Sequence, residues 1–172
     1  INIKGGSRQM QEVNVETQGI LNQILGACFD LNARSDSIAY SMSFNLLEDM
    51  SRTYHTLWAH YWPTLADAIS DKMLEYNVLP IREALPKYDY NTADHVSLFR
   101  FNKEGADGLA SLVRKGIEMA EYNEDLGIKI FLEEIYNGLS KYVKQADFWS
   151  RVSETVSSDH MNVHFDKYTK FI

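Results

Sequence analysis

Between residues 45 and 77, apolar side chains fall at Leu47, Met50, Tyr54, Leu57, Tyr61, Leu65, Ala68 and Tyr76, with Trp58, Ile69 and Met73 beside them. Steps of three and four put them on one face of an α-helix. The stripe keeps its phase across Pro63, which predicts one long kinked rod rather than two helices. Asn45 followed by Glu48 has the form of a capping box and marks the expected start. The same rhythm runs through residues 15–40 at Leu21, Ile24, Leu25, Cys28, Leu31 and Ile38, and on to Met42. Residues 41–44 break it and predict a tight connection, so the first two helices run antiparallel.

Pro80 and Pro86 end the second helix, and residues 88–94 read as a loop. A short helical piece is expected at 94–99. Asn102 then caps a third helix over 103–122, with Leu109, Leu112, Val113, Ile117 and Ala120 inward. A turn at 123–126 leads to a fourth helix over 124–149, carried by Ile128, Leu132, Ile135, Leu139 and Tyr142. Two short loops flanking one long connection describe an all-α, ferritin-like four-helix bundle, with the crossover between the second and third helices. The expected layout is an N-terminal arm at 1–14, the bundle at 15–149 and a C-terminal tail at 150–172. Phe165, Tyr168 and Phe171 in that tail are expected to pack on a neighbour.

Composition narrows the function. The chain has 172 residues, 45% of them apolar, enough for one packed domain. Its net charge is −7, so the chain as a whole lacks the basic footprint of a nucleic-acid binder. Lys4 and Arg8 in the arm are the exception and the candidate phosphate contacts. Cys28 is the single cysteine, which rules out an internal disulfide and fits a reducing cytoplasm. No apolar run is long enough to span a bilayer, and no signal peptide is visible.

Opposite the apolar stripe, Asp49, Thr53, Thr56, His60, Thr64, Asp67 and Asp71 fall near one line. Asp67 and Asp71 stand one turn apart, and His60 lies two turns before Asp71's neighbour in the pair. Two readings stand together: a solvated polar face, or a cation site of two carboxylates with one imidazole. His160 and His164 are a second, weaker metal-binding spacing.

Lys115-Gly-Ile-Glu-Met-Ala-Glu-Tyr-Asn-Glu-Asp125, continuing to Ile135-Tyr-Asn-Gly-Leu139-Ser-Lys141, resembles the third-to-fourth helix junction of the Dps family, the bacterial mini-ferritins. Leu21-Asn-Gln-Ile-Leu25 resembles the opening of that family's first helix. Asp67-Ala-Ile-Ser-Asp71-Lys72 with Pro80 resembles its acidic segment and following proline. The resemblance runs from Leu21 to Pro80 and again from about Glu104 to Lys141. It implies a hollow dodecamer that oxidises and stores iron and binds and protects DNA through its termini, as a nucleoid-associated cytoplasmic protein. It also implies an iron site shared between subunits, in which Asp67 matches the family Asp and Asp71 stands for its Glu. The two histidine positions fall on Tyr40 and Arg52, and an arginine cannot ligate iron. The chain thus looks like the lactic-acid-bacterial members that lack the usual centre. Glu121, Glu124 and Asp125 stand where the family gathers acids around threefold pores. Two functions stay open: a DNA-protecting cage with weak or altered iron binding, or an active ferroxidase in which His60 replaces the lost imidazoles. A plain helical binding module is the third reading.

Overall fold

The computed structural model describes residues 12–91 and 94–172. Four long rods form the molecule. The first is α1 (Val15–Phe44). The second is α2 (Glu48–Tyr54), a π-helical turn (His55–Ala59) and α3 (Tyr61–Glu75) in series. The third and fourth are α4 (His95–Tyr122) and α5 (Leu126–Ser153). A short α6 (Ser158–Val163) and a 3-10 turn (Phe165–Tyr168) close the chain. α1 packs on α4 and on the second rod, and α4 packs on α5. The second rod reaches α5 through large rings: Tyr61 stacks on Tyr142 at 3.8 Å, and Trp58 meets Trp149 at 5.4 Å.

The second rod departs from the expected stripe. Leu57 is exposed and Tyr61 half-buried, while Trp58 and Trp62 are fully buried. The core line is Met50, Tyr54, Trp58 and Trp62, four residues apart each time. The wider π-turn produces that spacing. Pro63 explains the turn: it has no N–H for the carbonyl of Ala59, four residues earlier. Asn32 on α1 supplies one instead, donating to Ala59 O at 3.1 Å. The π-turn therefore ends one turn before the proline.

The rod ends differ from expectation too. α1 runs on through residues 41–44, because Met42 is buried in the core. Asn45 is its C-cap, not the N-cap of the next helix. Leu46 then takes a left-handed φ of 64° while Leu47 N–H reaches back to Met42 O and Leu46 N–H to Ser43 O. Those two bonds are the Schellman pattern. Asn77 and Glu124 close α3 and α4 the same way, at φ 58° and 59°. α4 is also continuous from His95: Asp94 caps it, and Asn102 is buried inside it, accepting from Tyr54 Oη at 2.7 Å.

The crossover lies along α1. Asn22 holds it with two bonds, to Leu79 O and from Ile81 N. Arg82 covers the Phe29 ring at 3.7 Å, Tyr88 donates to Asp30, and Tyr90 stacks on Phe101. The tail docks on its own bundle. Phe165 stacks on Trp149 at 5.1 Å, and Met161 is fully buried. Gln145 donates to Tyr168 O and accepts from Lys170 N and Phe171 N.

Candidate metal centre

Among the described residues, the bundle interior holds no imidazole, and its one buried carboxylate, Asp125, lies at the α4–α5 turn. Three indoles, two phenols and two phenyl rings fill the centre instead: Trp58, Trp62, Trp149, Tyr54, Tyr142, Phe99 and Phe165. An inward-facing set of Glu and Glu-x-x-His ligands, which bundles use to hold two irons, has no counterpart here. Metal chemistry has to be sought on the outside of the rods.

His60, Asp67 and Asp71 are all exposed on the second rod. Asp67 and Asp71 stand about 6 Å apart along the axis, one turn, so their carboxylates share a face. His60 is about 10 Å from Asp67 along the same axis, too far for one ion to join all three within a single chain. Consistent with this, no group of three His, Cys, Asp or Glu side chains converges as a ready metal cage among the described residues. Tyr40 is 66% exposed near the end of α1. The Arg52 side chain is 76% exposed and approaches Asp49 at 4.0 Å.

His60 has closer company that the sequence pattern does not reveal. The His55 ring lies edge to face with it, 4.5 Å between centroids, and His55 Nε2 is 3.1 Å from Asp36 Oδ1 on α1. A pair of histidines five apart in a helix, followed by a proline, is the signal that could have drawn attention to it.

The acids of the α4–α5 junction divide. Glu121 and Glu124 are exposed, and Glu121 accepts from Lys129 Nζ at 3.0 Å. That bond holds the Lys129 ammonium above its usual range. Asp125 is buried: it accepts from Thr17 Oγ1 at 2.5 Å and faces Asn14 N at 3.4 Å, tying the start of α1 to the turn. His160 and His164 lie 4.6 Å apart by ring centroid, but His160 already bonds Tyr168 Oη at 3.0 Å. Burial pushes the Cys28 thiol up to about 12, so it is neither a nucleophile nor a ready thiolate ligand. Lys4 and Arg8 lie outside the described residues.

Rods, turns and crossover together define a ferritin-like four-helix bundle. The chain superposes on an open-pore ferritin from the hyperthermophilic archaeon Archaeoglobus fulgidus with a TM-score of 0.80, at 15% identity, over 91% of this chain and 98% of that one. At that identity the likeness speaks for the fold alone. No family model and no curated protein sequence matches the chain. No helix among the described residues is long and apolar enough to cross a membrane.

Proposed function

We propose that this chain is the subunit of a Dps-like cage, a dodecamer that takes up iron as cargo at subunit boundaries and binds DNA through its N-terminal arm. The observation that carries the reading is the location of the acids. With an aromatic interior and Asp67 and Asp71 exposed on α3, iron would meet carboxylates only on the surface, where a neighbouring subunit can complete the ligand set. Exposed Tyr40, Phe44, Leu46, Leu74, Leu79 and Tyr122 favour an assembled state, since isolated subunits rarely display so much apolar surface. The ferritin-like fold supports a cage of this general kind.

In this reading iron oxidation is slow or altered, because Tyr40 and Arg52 occupy the histidine positions of the resembling family. Lys4 and Arg8 contribute weak phosphate contacts that many copies in one shell would multiply. The protein would act in the cytoplasm, on the nucleoid. The test is native mass together with aerobic iron loading and a DNA gel shift at low salt. A shell of many subunits that holds iron, loads less of it as Asp67→Ala and retards DNA supports the proposal. A stable monomer, or no retardation by the full-length chain, overturns it. The second reading, an active ferroxidase, rests on the imidazoles around His60; iron(II) oxidation that falls sharply in both Asp67→Ala and His60→Ala would favour it.

A further inference from the structure

The π-turn has a local product. In a regular α-helix, residues five apart point about 140° away from each other. Here the backbone closes from His60 N to His55 O at 3.3 Å, and the two imidazoles come edge to face at 4.5 Å. Two features maintain the turn: Pro63, which cannot bond Ala59 O, and Asn32, which does. A π-turn is a costly interruption, and such turns recur at functional sites.

Asp36 on α1 faces this pair. Two ligands bound at about 2.0–2.2 Å to one tetrahedral ion stand roughly 3.3 Å apart. Asp36 Oδ1 and His55 Nε2 are 3.1 Å apart already. The His60 ring makes no hydrogen bond within the described residues and is exposed. As the rings stand the three groups do not converge; the site requires the His60 ring to turn about its side-chain torsions toward Asp36 and His55, 4.5 Å from the latter by centroid. Asp36 and His55 are half-buried, which limits the loss of freedom on binding.

We propose that Asp36, His55 and His60 form a site for a borderline divalent transition-metal ion of the zinc class, with two imidazoles and one carboxylate from a single chain and water in the remaining position. Imidazole nitrogen selects zinc, copper, nickel and iron(II) over magnesium and calcium, and three protein ligands leave one position open. The site needs one subunit only. It is separate from the acidic pair Asp67 and Asp71, and it does not depend on the cage.

The test is titration of the metal-stripped full chain with cobalt(II), followed by its visible absorption, and then displacement by zinc(II). One equivalent per chain is expected, bound about tenfold or more weakly in His55→Ala and in His60→Ala. His160→Ala should bind as the unaltered chain does, since His160 is already bonded to Tyr168. Pro63→Ala keeps all three ligands but restores an N–H to the helix, so it too should weaken binding. Should His55→Ala fail to fold, the exposed His60→Ala variant decides. Absence of tetrahedral cobalt absorption overturns the proposal. So does binding that survives in His60→Ala, is lost in His160→Ala, or is unchanged in Pro63→Ala.

Discussion

The side-chain amide of Asn32 donates to the carbonyl of Ala59 at 3.1 Å, the oxygen that Pro63 leaves without its helical partner. One side chain on α1 thus completes the backbone of the second rod. Asn32→Ala should cost about 1 kcal/mol, the usual worth of such a bond. In the Pro63→Ala background residue 63 has its own N–H, so the same substitution should cost close to nothing. Urea midpoints at fixed protomer concentration measure both; equal costs in the two backgrounds would show that Asn32 does not stand in for the missing N–H.

The N-terminus of α2 is capped from a distance. Leu47 is its N-cap residue and has no side-chain acceptor, and Asn162 Oδ1 on α6 takes the Met50 N–H at 2.8 Å. Asn162→Ala should lower stability by about 1 kcal/mol, as loss of a local cap does. The Met50 amide should then exchange faster with solvent, and unchanged exchange there would refute the capping role.

These two bonds show what the sequence could and could not reveal. Three-four periodicity gave the rods, their order and the crossover, because burying an apolar stripe requires that spacing whatever the partners. It misplaced Leu57, since a π-turn shifts the helical phase and a single chain carries no marker for it beyond Pro63. It assigned Asn45 as a cap from its spacing to Glu48, and Asn102 as a cap from residue type. Asn45 instead ends α1, and Asn102 is buried in α4, bonded to Tyr54. Of the three left-handed helix ends only Asn77 is a usual residue there; Leu46 and Glu124 carry no such signal. At the candidate site, the exposed acids Asp67 and Asp71 were legible from their spacing. Asp36 was not, because it comes from a different rod. The burial of Asp125 depends on Thr17, 108 residues away in the chain.

Leu46 holds φ 64° while 83% exposed, so it bears left-handed strain with little packing in return. Leu46→Gly should raise stability by about 0.5–1 kcal/mol, the relief of strain exceeding the added freedom of the unfolded chain. Thermal unfolding would check it, and a lower midpoint would place Leu46 in a contact that the single chain does not contain.

Alkali should weaken the fold. Burial pushes the Cys28 thiol up to about 12. Burial does the same for Tyr61, with Tyr142 alongside adding to it, and burial with the bond to Asp30 does so for Tyr88. Tyr54 is raised further still, chiefly by desolvation. Each folded group keeps its proton to higher pH than in the unfolded chain, where thiols ionise near 8.5 and phenols near 10, on the order of the usual values. The unfolded state therefore releases protons first. Stability is full below about pH 8 and falls as pH climbs toward about 12. Urea midpoints should decline across this window and the first part of the decline should flatten in Cys28→Ala; a midpoint that rises with pH would contradict the assignment.

Tyr54 and Asn102 form a polar pair inside an aromatic core. The Tyr54 ring lies 5.8 Å from Trp149 and 6.3 Å from Phe99, and its hydroxyl donates to Asn102 Oδ1 at 2.7 Å. Asn102 Nδ2 has no partner among the described residues, so this one bond carries the polar satisfaction of the amide. Tyr54→Phe keeps the ring and orphans the carbonyl; the expected loss is about 1–3 kcal/mol, the desolvation of an unmet acceptor. Asn102→Leu removes the acceptor of the hydroxyl but leaves Ser35 within its reach, so it should cost no more than that. Replacing both removes the polar groups together and leaves two apolar side chains of nearly the same shape. The double variant should therefore be more stable than either single one and close to the original in urea midpoint. A double variant as unstable as the sum of the singles would mean that the pair is not one unit, and that each group answers to its own surroundings.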